Sequence, residues 1–432
     1  MHILCVGDLC CDLIVPYGKM QQALQCGDIS KEVTDRLQVT MQCGGSVGNV
    51  ARHLGRLEAH PVFITPLKKD SLGEFLSSEM EKNGVDMHWT AASEKSNMYC
   101  VAVLDQTGER TMFCFVPPWA DFPRFHEKSF ERVLQPCNPD LQKQDILNPE
   151  EEILFTSGMA ILDDAENNQA VLDFFRTRKD GGAKIVFDLN VRAESYGYEG
   201  ERRRAMEEMI SLSDIVLGSG REEFCQVTGR EEIRDAAGQL LECGAGTVIA
   251  RDGGRPILVL EAGKTERDDS DEKYPGTLIP VKPVKPISTL GAGDSFDAMF
   301  LNCIAAGAQV TEAVRKASDY AGEYISGKRW TPRVLIFGSL HPEEFIIKRD
   351  QIWQKQKQRY SSARTAGMNP QNGWDSVPPA ENGIHLSKSR LRHLLHQRAR
   401  QSRPPEWSSG EASVQAQGLP ETVEGAEIRR LP

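Results

Sequence analysis

Residues 288–296 read STLGAGDSF, and apolar side chains follow at helical spacing as far as Ile304. This spacing predicts a helix over about 293–306 that begins at the glycines. The Gly-Ala-Gly segment at 291–293 then lies at a helix N-terminus, where unpaired backbone N–H groups and the helix dipole attract an anion. Glycine also lets a ligand approach the backbone without meeting a Cβ atom. The segment therefore predicts an anion site.

Asp294 falls in the first turn of that predicted helix, beside the N–H groups. Phosphoryl transfer requires charge stabilisation of the moving group and a base that removes the acceptor's proton. The N–H groups of Gly291, Ala292 and Gly293 would supply the first, and the Asp294 carboxylate would supply the second. The alternative is that Asp294 only caps the helix and the glycines only form a turn, since Asp is common at helix N-caps.

This segment resembles the C-terminal signature of the ribokinase-like (PfkB-type) carbohydrate kinases. In that family the matching aspartate is the catalytic base and the glycines form the anion hole. Neither a Walker A sequence nor a Rossmann GxGxxG after a strand occurs, so the common rival nucleotide motifs are absent. The resemblance implies ATP and Mg²⁺ as cofactors, with Thr289, Gly291 and Gly293 binding the nucleotide.

A second motif, GGSVGNVA, occupies residues 44–51. It is similar to the family's other signature, in which a Gly-Gly turn lies against the sugar and an asparagine bonds a hydroxyl group. Gly44, Gly45 and Asn49 are therefore predicted to bind the acceptor substrate. Asp12 matches the aspartate that ends the family's first strand and holds substrate hydroxyls, which a carboxylate can accept in pairs. Taken alone, each feature also suits an ordinary turn or a surface loop.

The sequence DLNVR at 188–192 follows a predicted strand. It resembles the DxNxR pattern of the fructokinase and 2-keto-3-deoxygluconate kinase branches. Ligands of open α/β sheets bind at the carboxyl ends of the strands, so this placement suits a site. Arg192 is predicted to contact a phosphate or a substrate carboxylate in bidentate fashion; a solvated arginine is an equal alternative.

Strand and helix patterns alternate along most of the chain with glycines at the joints, which predicts a mostly parallel sheet covered on both faces. The resemblance implies an α/β protein with the ribokinase-like three-layer α/β/α fold, over residues 1–345. A small antiparallel lid is predicted from about 14–43 and 88–117, with a hairpin at 97–116. Lid closure would exclude water from the acceptor, and an exposed lid edge allows a homodimer.

Three departures from the family's pattern touch the nucleotide side. Ser288 replaces an aspartate that helps to hold potassium in some members, which puts a potassium requirement in doubt. Gly220 replaces the asparagine of an Asn-x-x-Glu motif, although Glu223 remains and is predicted to organise water on Mg²⁺. Arg251 and Gly253 stand where the family's Thr-x-Gly contacts the nucleotide, and they are predicted to do so here.

The composition narrows the classes of function. A net charge of −11 argues against nucleic acid as a partner, and no apolar run is long enough to span a membrane. The N-terminus lacks the pattern of a secretion signal, and eleven cysteines without zinc-type spacing indicate free thiols, so a cytoplasmic protein is expected. Residues 346–432 are polar and are predicted to be disordered.

Three functions remain open. The first is an ATP-dependent kinase that transfers the γ-phosphate to a primary hydroxyl of a sugar or sugar acid, of the fructose, ribose or 2-keto-3-deoxygluconate type. The second is a nucleoside or vitamin-type kinase, for which Phe113, Phe115 and Trp119 are candidates to line an apolar slot. The third is a non-catalytic sugar-binding regulator, which the changes at 220 and 288 favour and the retained Asp294 opposes.

Overall fold

A computed structural model of the chain describes residues 1–27, 37–105, 110–115, 123–134, 148–263 and 273–328. The tail predicted over 346–432 lies outside these residues, as do Trp119 and the side chains of Phe113 and Phe115. The tail and the aromatic slot therefore stay predictions.

The strands are short and rich in buried aliphatic and aromatic residues, as expected where both faces of a sheet are covered. In chain order they are β1 (His2–Val6), β2 (Cys10–Val15), β3 (Thr40–Gly44), β4 (Val62–Ile64), β5 (Pro66–Leu67), β6 (Ala91–Ala92), β7 (Met98–Leu104), β8 (Arg110–Phe115), β9 (Glu152–Ser157), β10 (Lys184–Asp188), β11 (Ile215–Ser219), β12 (Thr247–Arg251), β13 (Ile257–Glu261) and β14 (Thr277–Ile279).

The helices of four or more residues in the described part of the chain follow the same order. They are α1 (Tyr17–Cys26), α2 (Ser46–Arg56), α3 (Ser71–Lys82), α4 (Glu131–Leu134), α5 (Ala165–Asp180), α6 (Ala193–Tyr196), α7 (Gly200–Leu212), α8 (Arg221–Thr228), α9 (Ile233–Glu242), α10 (Ala292–Ala305) and α11 (Val310–Ile325). Short 3₁₀ turns precede and follow β9, and one precedes α4.

Eight strands form the central sheet in the order β14-β13-β12-β11-β10-β9-β1-β4. The six strands from β12 to β4 are parallel, whereas β13 and β14 add an antiparallel edge. The mostly parallel sheet predicted from the sequence is thus confirmed.

Two apolar cores lie on opposite faces of this sheet. In β1, Leu4 and Val6 pack in one core, whereas Ile3 and Cys5 pack in the other. This alternation follows from the two-residue repeat of a strand. Helices α5, α7, α8 and α9 cover the first face, and α2, α3, α10 and α11 cover the second. The arrangement is the predicted three-layer α/β/α fold.

A four-stranded lid sheet has the order β3-β2-β7-β8. The strand pairs β2–β3 and β7–β8 are antiparallel, as predicted, but β2 and β7 run parallel. Asp12 lies within β2, so the expectation that it ends the first strand is wrong. The first strand ends at Val6, and the chain bends at Gly7. Close packing against Val47 requires glycine there, since a Cβ atom would lie 2.5 Å from Val47 Cγ2.

The helices of the described residues are too short or too polar to cross a bilayer.

Gly55 provides a test of how tightly α2 packs. A Cβ atom at this position would lie 2.1 Å from the carbonyl oxygen of Asn83, so Gly55→Ala must push two backbone segments apart. We expect the free energy of unfolding to fall by about 1–3 kcal/mol, measured by urea denaturation. Gly254→Ala is the matched control, because a Cβ atom there would meet no other atom within 4 Å; equal losses in both variants would contradict this packing.

Candidate active site

The site lies at the carboxyl edge of the parallel strands, where the loops after β1, β9, β10, β11 and β12 meet. The chain passes from β1 to α2 on one face and from β9 to α5 on the other. Adjacent strands whose connections leave in opposite directions open a crevice between their loops. The sheet topology therefore creates a cleft at β1 and β9 before any particular side chain is considered.

The first turns of α2 and α10 meet at this edge. Asp294 Oδ2 accepts a hydrogen bond from Asn49 Nδ2 at 2.8 Å, and Asp294 Oδ1 accepts one from Ser46 Oγ at 3.3 Å. Gly291 precedes α10 with φ 73°, a left-handed conformation that favours glycine. The two motifs identified in the sequence thus form one site.

Arg52, which the sequence interpretation missed, holds the Asn49 amide in this orientation. Its NH2 group donates to Asn49 Oδ1 at 2.9 Å and its NH1 group donates to the carbonyl of Cys43 at 2.7 Å. With the oxygen facing a guanidinium, the amide nitrogen is directed towards Asp294. An arginine three residues after an asparagine shares a helix face with it, and this spacing was the available signal.

The carboxyl group of Asp294 has an unusually high pKa. Burial raises this pKa to about 6, and the nearby charges of Asp188 and Asp8 act in the same direction. The hydrogen bonds from Asn49 and Ser46 oppose the increase because they stabilise the ionised form. A carboxylate with a pKa near 6 is ionised at neutral pH yet basic enough to accept a proton.

The Gly-Gly turn is packed against two carboxylates. A Cβ atom on Gly44 would lie 2.4 Å from Asp12 Oδ1, and one on Gly45 would lie 2.7 Å from the carbonyl oxygen of Asp8. The Asp8 side chain in turn accepts from the backbone N–H groups of Ser46 and Val47 at 2.7 and 3.1 Å. The turn therefore places Asp12 next to Gly44 and fixes the start of α2.

The DLNVR segment reaches Asp294 through Ser46. Asn190 Nδ2 donates to Ser46 Oγ at 2.7 Å, and the backbone N–H of Asn190 donates to Asp188 Oδ1 at 3.1 Å. Asn190 and Arg192 both adopt positive φ, of 30° and 47°. Arg192 is exposed, and its Nε atom donates to Asn190 Oδ1 at 2.8 Å. Its predicted contact with substrate stays a prediction.

Arg251 is buried beneath the glycine loop. Its guanidinium pairs with Asp188 at 2.9 Å and Asp297 at 2.5 Å, and it also donates to the carbonyls of Gly218 and Gly293. Burial opposes its charge, but the two carboxylates raise the pKa of Arg251 overall. The nucleotide contact predicted for Arg251 stays a prediction, although these partners already engage its guanidinium.

Asp188 and Asp297 share the charge of Arg251 unequally. Burial would raise the pKa of Asp188, but the guanidinium outweighs it and lowers that pKa. Burial and the charge of Asp188 keep the pKa of Asp297 well above its ordinary value, despite Arg251. The guanidinium of Arg251 thus lies between one carboxyl group whose pKa is lowered and one whose pKa is raised.

Glu223 ties two loops together. One of its carboxylate oxygens accepts from the backbone N–H of Val191 at 2.9 Å, and the other accepts from that of Ser219 at 2.6 Å. Burial and the charge of Asp188 raise the pKa of Glu223 to about 7. Gly220 adopts φ 86° and ψ 143°, a combination that favours glycine over asparagine. The predicted water-mediated Mg²⁺ contact of Glu223 stays a prediction.

Thr289 and Gly253, two of the predicted nucleotide ligands, are exposed on loops at the same edge. The carbonyl of Thr289 accepts from the N–H of Ala292 at 3.2 Å, which forms the turn into α10. Gly253 adopts φ 57° in the turn between β12 and β13. Both loops are accessible to a ligand from solvent, and the nucleotide contacts predicted for Thr289 and Gly253 stay predictions.

A largely apolar cavity of about 220 Å³ lies beside the Asp8 loop. It opens where the lid strand β7 faces the segments that follow β1 and β9. Its apolar lining includes Leu9, Met98, Phe125, Met159 and Ile161. The cavity can accept an apolar group adjacent to the carboxylates of the site.

The sequence matches the family model described as "pfkB family carbohydrate kinase" over residues 1–329. The chain is 26% identical to the 5-dehydro-2-deoxygluconokinase of Halalkalibacterium halodurans over 329 residues, which cover 72% of this chain and 88% of that protein. It is 25% identical to the aminoimidazole riboside kinase of Salmonella typhimurium over 280 residues, with 64% and 79% covered.

Among solved structures, the fructokinase of Vibrio cholerae with fructose, ADP and calcium superimposes with a TM-score of 0.58 at 22% identity, covering 78% of this chain and 95% of that one. The fold is therefore ribokinase-like. Because the family model matches most of the chain, the protein belongs to the pfkB family of carbohydrate kinases. As a member, it is a phosphotransferase that acts on an alcohol group.

The elevated pKa of Asp294 predicts that ionisation of this carboxyl group destabilises the folded protein. Its folded pKa of about 6 exceeds the ordinary value of 3.8, so wild-type stability falls as pH rises through this interval. Asp294→Asn lacks the ionisation and should be more stable than the wild type at pH 7, with the difference shrinking towards pH 4. Thermal unfolding of both proteins at the two pH values tests this, and a pH-independent difference would contradict it.

Proposed function

We propose that this protein transfers the γ-phosphate of ATP to a primary hydroxyl of a sugar or sugar acid. The observation that carries this proposal is the hydrogen bond between Asn49 and Asp294. It joins the residue expected to hold the acceptor to the residue expected to deprotonate it, so that one hydroxyl can reach both groups.

In the proposed reaction, Asp294 removes the proton from the acceptor hydroxyl, and the resulting oxygen nucleophile attacks the γ-phosphorus. The bond to the β,γ-bridging oxygen of ATP breaks and ADP leaves. Backbone N–H groups of Gly291, Ala292 and Gly293 stabilise negative charge on the transferring group. The N–H of Ala292 must first exchange its hydrogen bond to the Thr289 carbonyl for one to the phosphoryl oxygens. Because charge stabilisation and positioning supply most of the catalysis of phosphoryl transfer, the fixed start of α10 is the main contribution of the protein.

The acceptor would be held by Asp12, the Gly44-Gly45 turn and Asn49. A carboxylate accepts from two hydroxyls and an amide both donates and accepts, which suits a polyhydroxylated ligand. Arg192 is exposed at the same edge and would pair with a carboxylate on the substrate. This favours sugar acids or ketoses, in line with the resemblance of DLNVR to those branches.

ATP would lie along the exposed loops that contain Gly253 and Thr289, with its γ-phosphate at the start of α10. Mg²⁺ fits the donor set, because hard oxygen ligands are present and each Glu223 oxygen has a lone pair beyond its backbone bond. When bound with ATP, Mg²⁺ would supply positive charge to the phosphates. Ser288 carries no charge, and we assign no role to a monovalent cation.

A nucleoside-type acceptor is the second candidate, and the apolar cavity beside Asp8 favours it. A base or another apolar substituent could occupy this space while the attached sugar presents its hydroxyl to Asp294. Free hexoses would leave the apolar walls exposed to water, which is unfavourable.

The test is a coupled ADP-release assay with Mg-ATP and a panel of ketoses, pentoses, sugar acids and nucleosides. We expect turnover with one acceptor class, and a loss of about 10²–10⁴-fold in kcat for Asp294→Asn, because general-base catalysis contributes that range. Acceptor binding, measured by calorimetry, should persist in the variant. Binding of a sugar by the wild type without any ADP release would instead indicate a non-catalytic regulator.

The dependence of kcat on pH tests the role of Asn49. The base must be ionised, so kcat should fall below the pKa of Asp294, about 6. Asn49→Ala removes the larger of the two stabilising hydrogen bonds and should move the acid limb to higher pH. Ser46→Ala should move it in the same direction by less. An acid limb that stays in place in both variants would show that another group is the base.

A further inference from the structure

Cys10, Asp12 and Cys100 converge in the lid, next to the Gly-Gly turn. In the parallel pairing of β2 with β7, Asp12 lies opposite Cys100, and Cys10 precedes Asp12 by two residues on the same face. The Cys10 thiol donates to Asp12 Oδ1 at 3.5 Å. One ligand atom from each of the three residues lies within 4.8 Å of the other two.

All three side chains are shielded from water, with exposed fractions of 4% for Cys10, 9% for Asp12 and 6% for Cys100. No cysteine spacing along the sequence predicted this cluster, because the residues come from two strands far apart in the chain. Among the described residues, these three side chains form the group of cysteine and carboxylate ligands that lie close enough together to hold a metal ion.

The chemistry of this donor set is that of a zinc site. Two sulfurs and one carboxylate oxygen suit Zn²⁺, which binds four ligands in a tetrahedron with Zn–S bonds of about 2.3 Å. A tetrahedron of that size separates its sulfurs by about 3.8 Å, so the ligand atoms, which lie within 4.8 Å of one another, need to close by at most about 1 Å. Three protein ligands leave the fourth position for a water molecule.

Both thiols would have to lose their protons to bind a metal ion. The contact with Cys100 favours the thiolate of Cys10, but burial and the charges of Asp12 and Asp8 dominate and raise the pKa of Cys10 to about 12. A neutral buried thiol is a poor nucleophile, which argues against a redox role. A bound Zn²⁺ ion would displace the thiol protons and neutralise the carboxylate.

We propose that Cys10, Asp12 and Cys100 form a Zn²⁺ site inside the acceptor pocket. The effect of zinc on turnover rests on the proposed function, in which Asp12 holds the acceptor's hydroxyls. A Zn²⁺ ion bound through one Asp12 oxygen would neutralise this carboxylate and, with its water ligand, fill the space in front of it. Gly44 packs against the same carboxylate and leaves no room on that side. Zinc and acceptor therefore exclude each other.

The site is tested with Co²⁺ as a spectroscopic probe, titrated into the reduced full-length protein without oxygen. We expect one equivalent to produce a thiolate-to-cobalt charge-transfer band that one equivalent of Zn²⁺ removes. Cys10→Ser and Cys100→Ser should each weaken binding at least about tenfold, as loss of metal-site groups does. Cys11→Ala is the matched control, since its side chain lies in the sheet-facing core on the opposite side of β2, and it should keep the band.

A missing band in the wild type overturns the proposal, as does a band that persists in both serine variants. Native circular dichroism of the serine variants separates loss of ligands from failure to fold. These readouts need no turnover, so they remain decisive even if no acceptor is found.

The competition has its own test in the ADP-release assay, with free Zn²⁺ fixed by a metal buffer. We expect inhibition that is competitive with the acceptor, is not competitive with ATP, and is relieved at least about tenfold in Cys100→Ser. Inhibition that is competitive with ATP instead, or that is unchanged in Cys100→Ser, overturns the assignment of zinc to the acceptor pocket.

Discussion

The contact between the first turns of α2 and α10 is the constraint around which the site is built. Asn49 and Asp294 are 245 residues apart in sequence, yet their side chains form a hydrogen bond of 2.8 Å. The parallel part of the sheet makes this possible, because crossover connections return the six strands from β12 to β4 in the same direction and bring their carboxyl ends to one edge. Both helices cover the same face of the sheet, so their N-termini meet over that edge.

This geometry gathers negative charge, and the protein compensates for it locally. Asp8 is satisfied by the N-terminus of α2 and Glu223 by two backbone N–H groups, while Asp188 and Asp297 share Arg251. Removing one partner of a buried ion pair typically costs about 3–5 kcal/mol, since it leaves an uncompensated charge. Arg251 also donates to the carbonyl of Gly293. The guanidinium that pairs with Asp188 and Asp297 therefore also holds residues 291–293 in place. Asp294, in contrast, accepts hydrogen bonds from the neutral side chains of Asn49 and Ser46. Its pKa therefore stays high, and its carboxylate stays basic.

Much of the central sheet could be predicted because its strands are continuous apolar runs bounded by glycines. Helices α7 and α8 were missed because their first turns are dominated by charged residues. In α7 an apolar face was nevertheless available as a signal, since Ala205, Met206, Met209 and Ile210 are buried at helical spacing. Asp12 was placed at the end of the first strand by the family resemblance and not by a strand pattern, and it lies within β2 instead. Tertiary contacts supplied the remainder of the candidate site. The orientation of Asn49 by Arg52, the burial of Arg251 and the proximity of Cys10 to Cys100 depend on register and packing, which residue spacing does not encode.

The most direct measurement is a crystal structure with ADP, an aluminium fluoride mimic of the transferring phosphoryl group, and the acceptor found by the assay. We predict that the acceptor's primary hydroxyl lies about 2.6–3.2 Å from the Asp294 carboxylate, the range for a productive proton transfer. The N–H groups of residues 291–293 should point at the fluoride ligands. An acceptor hydroxyl held away from Asp294, with the mimic outside the α10 N-terminus, would contradict the assignment of this site as the catalytic centre.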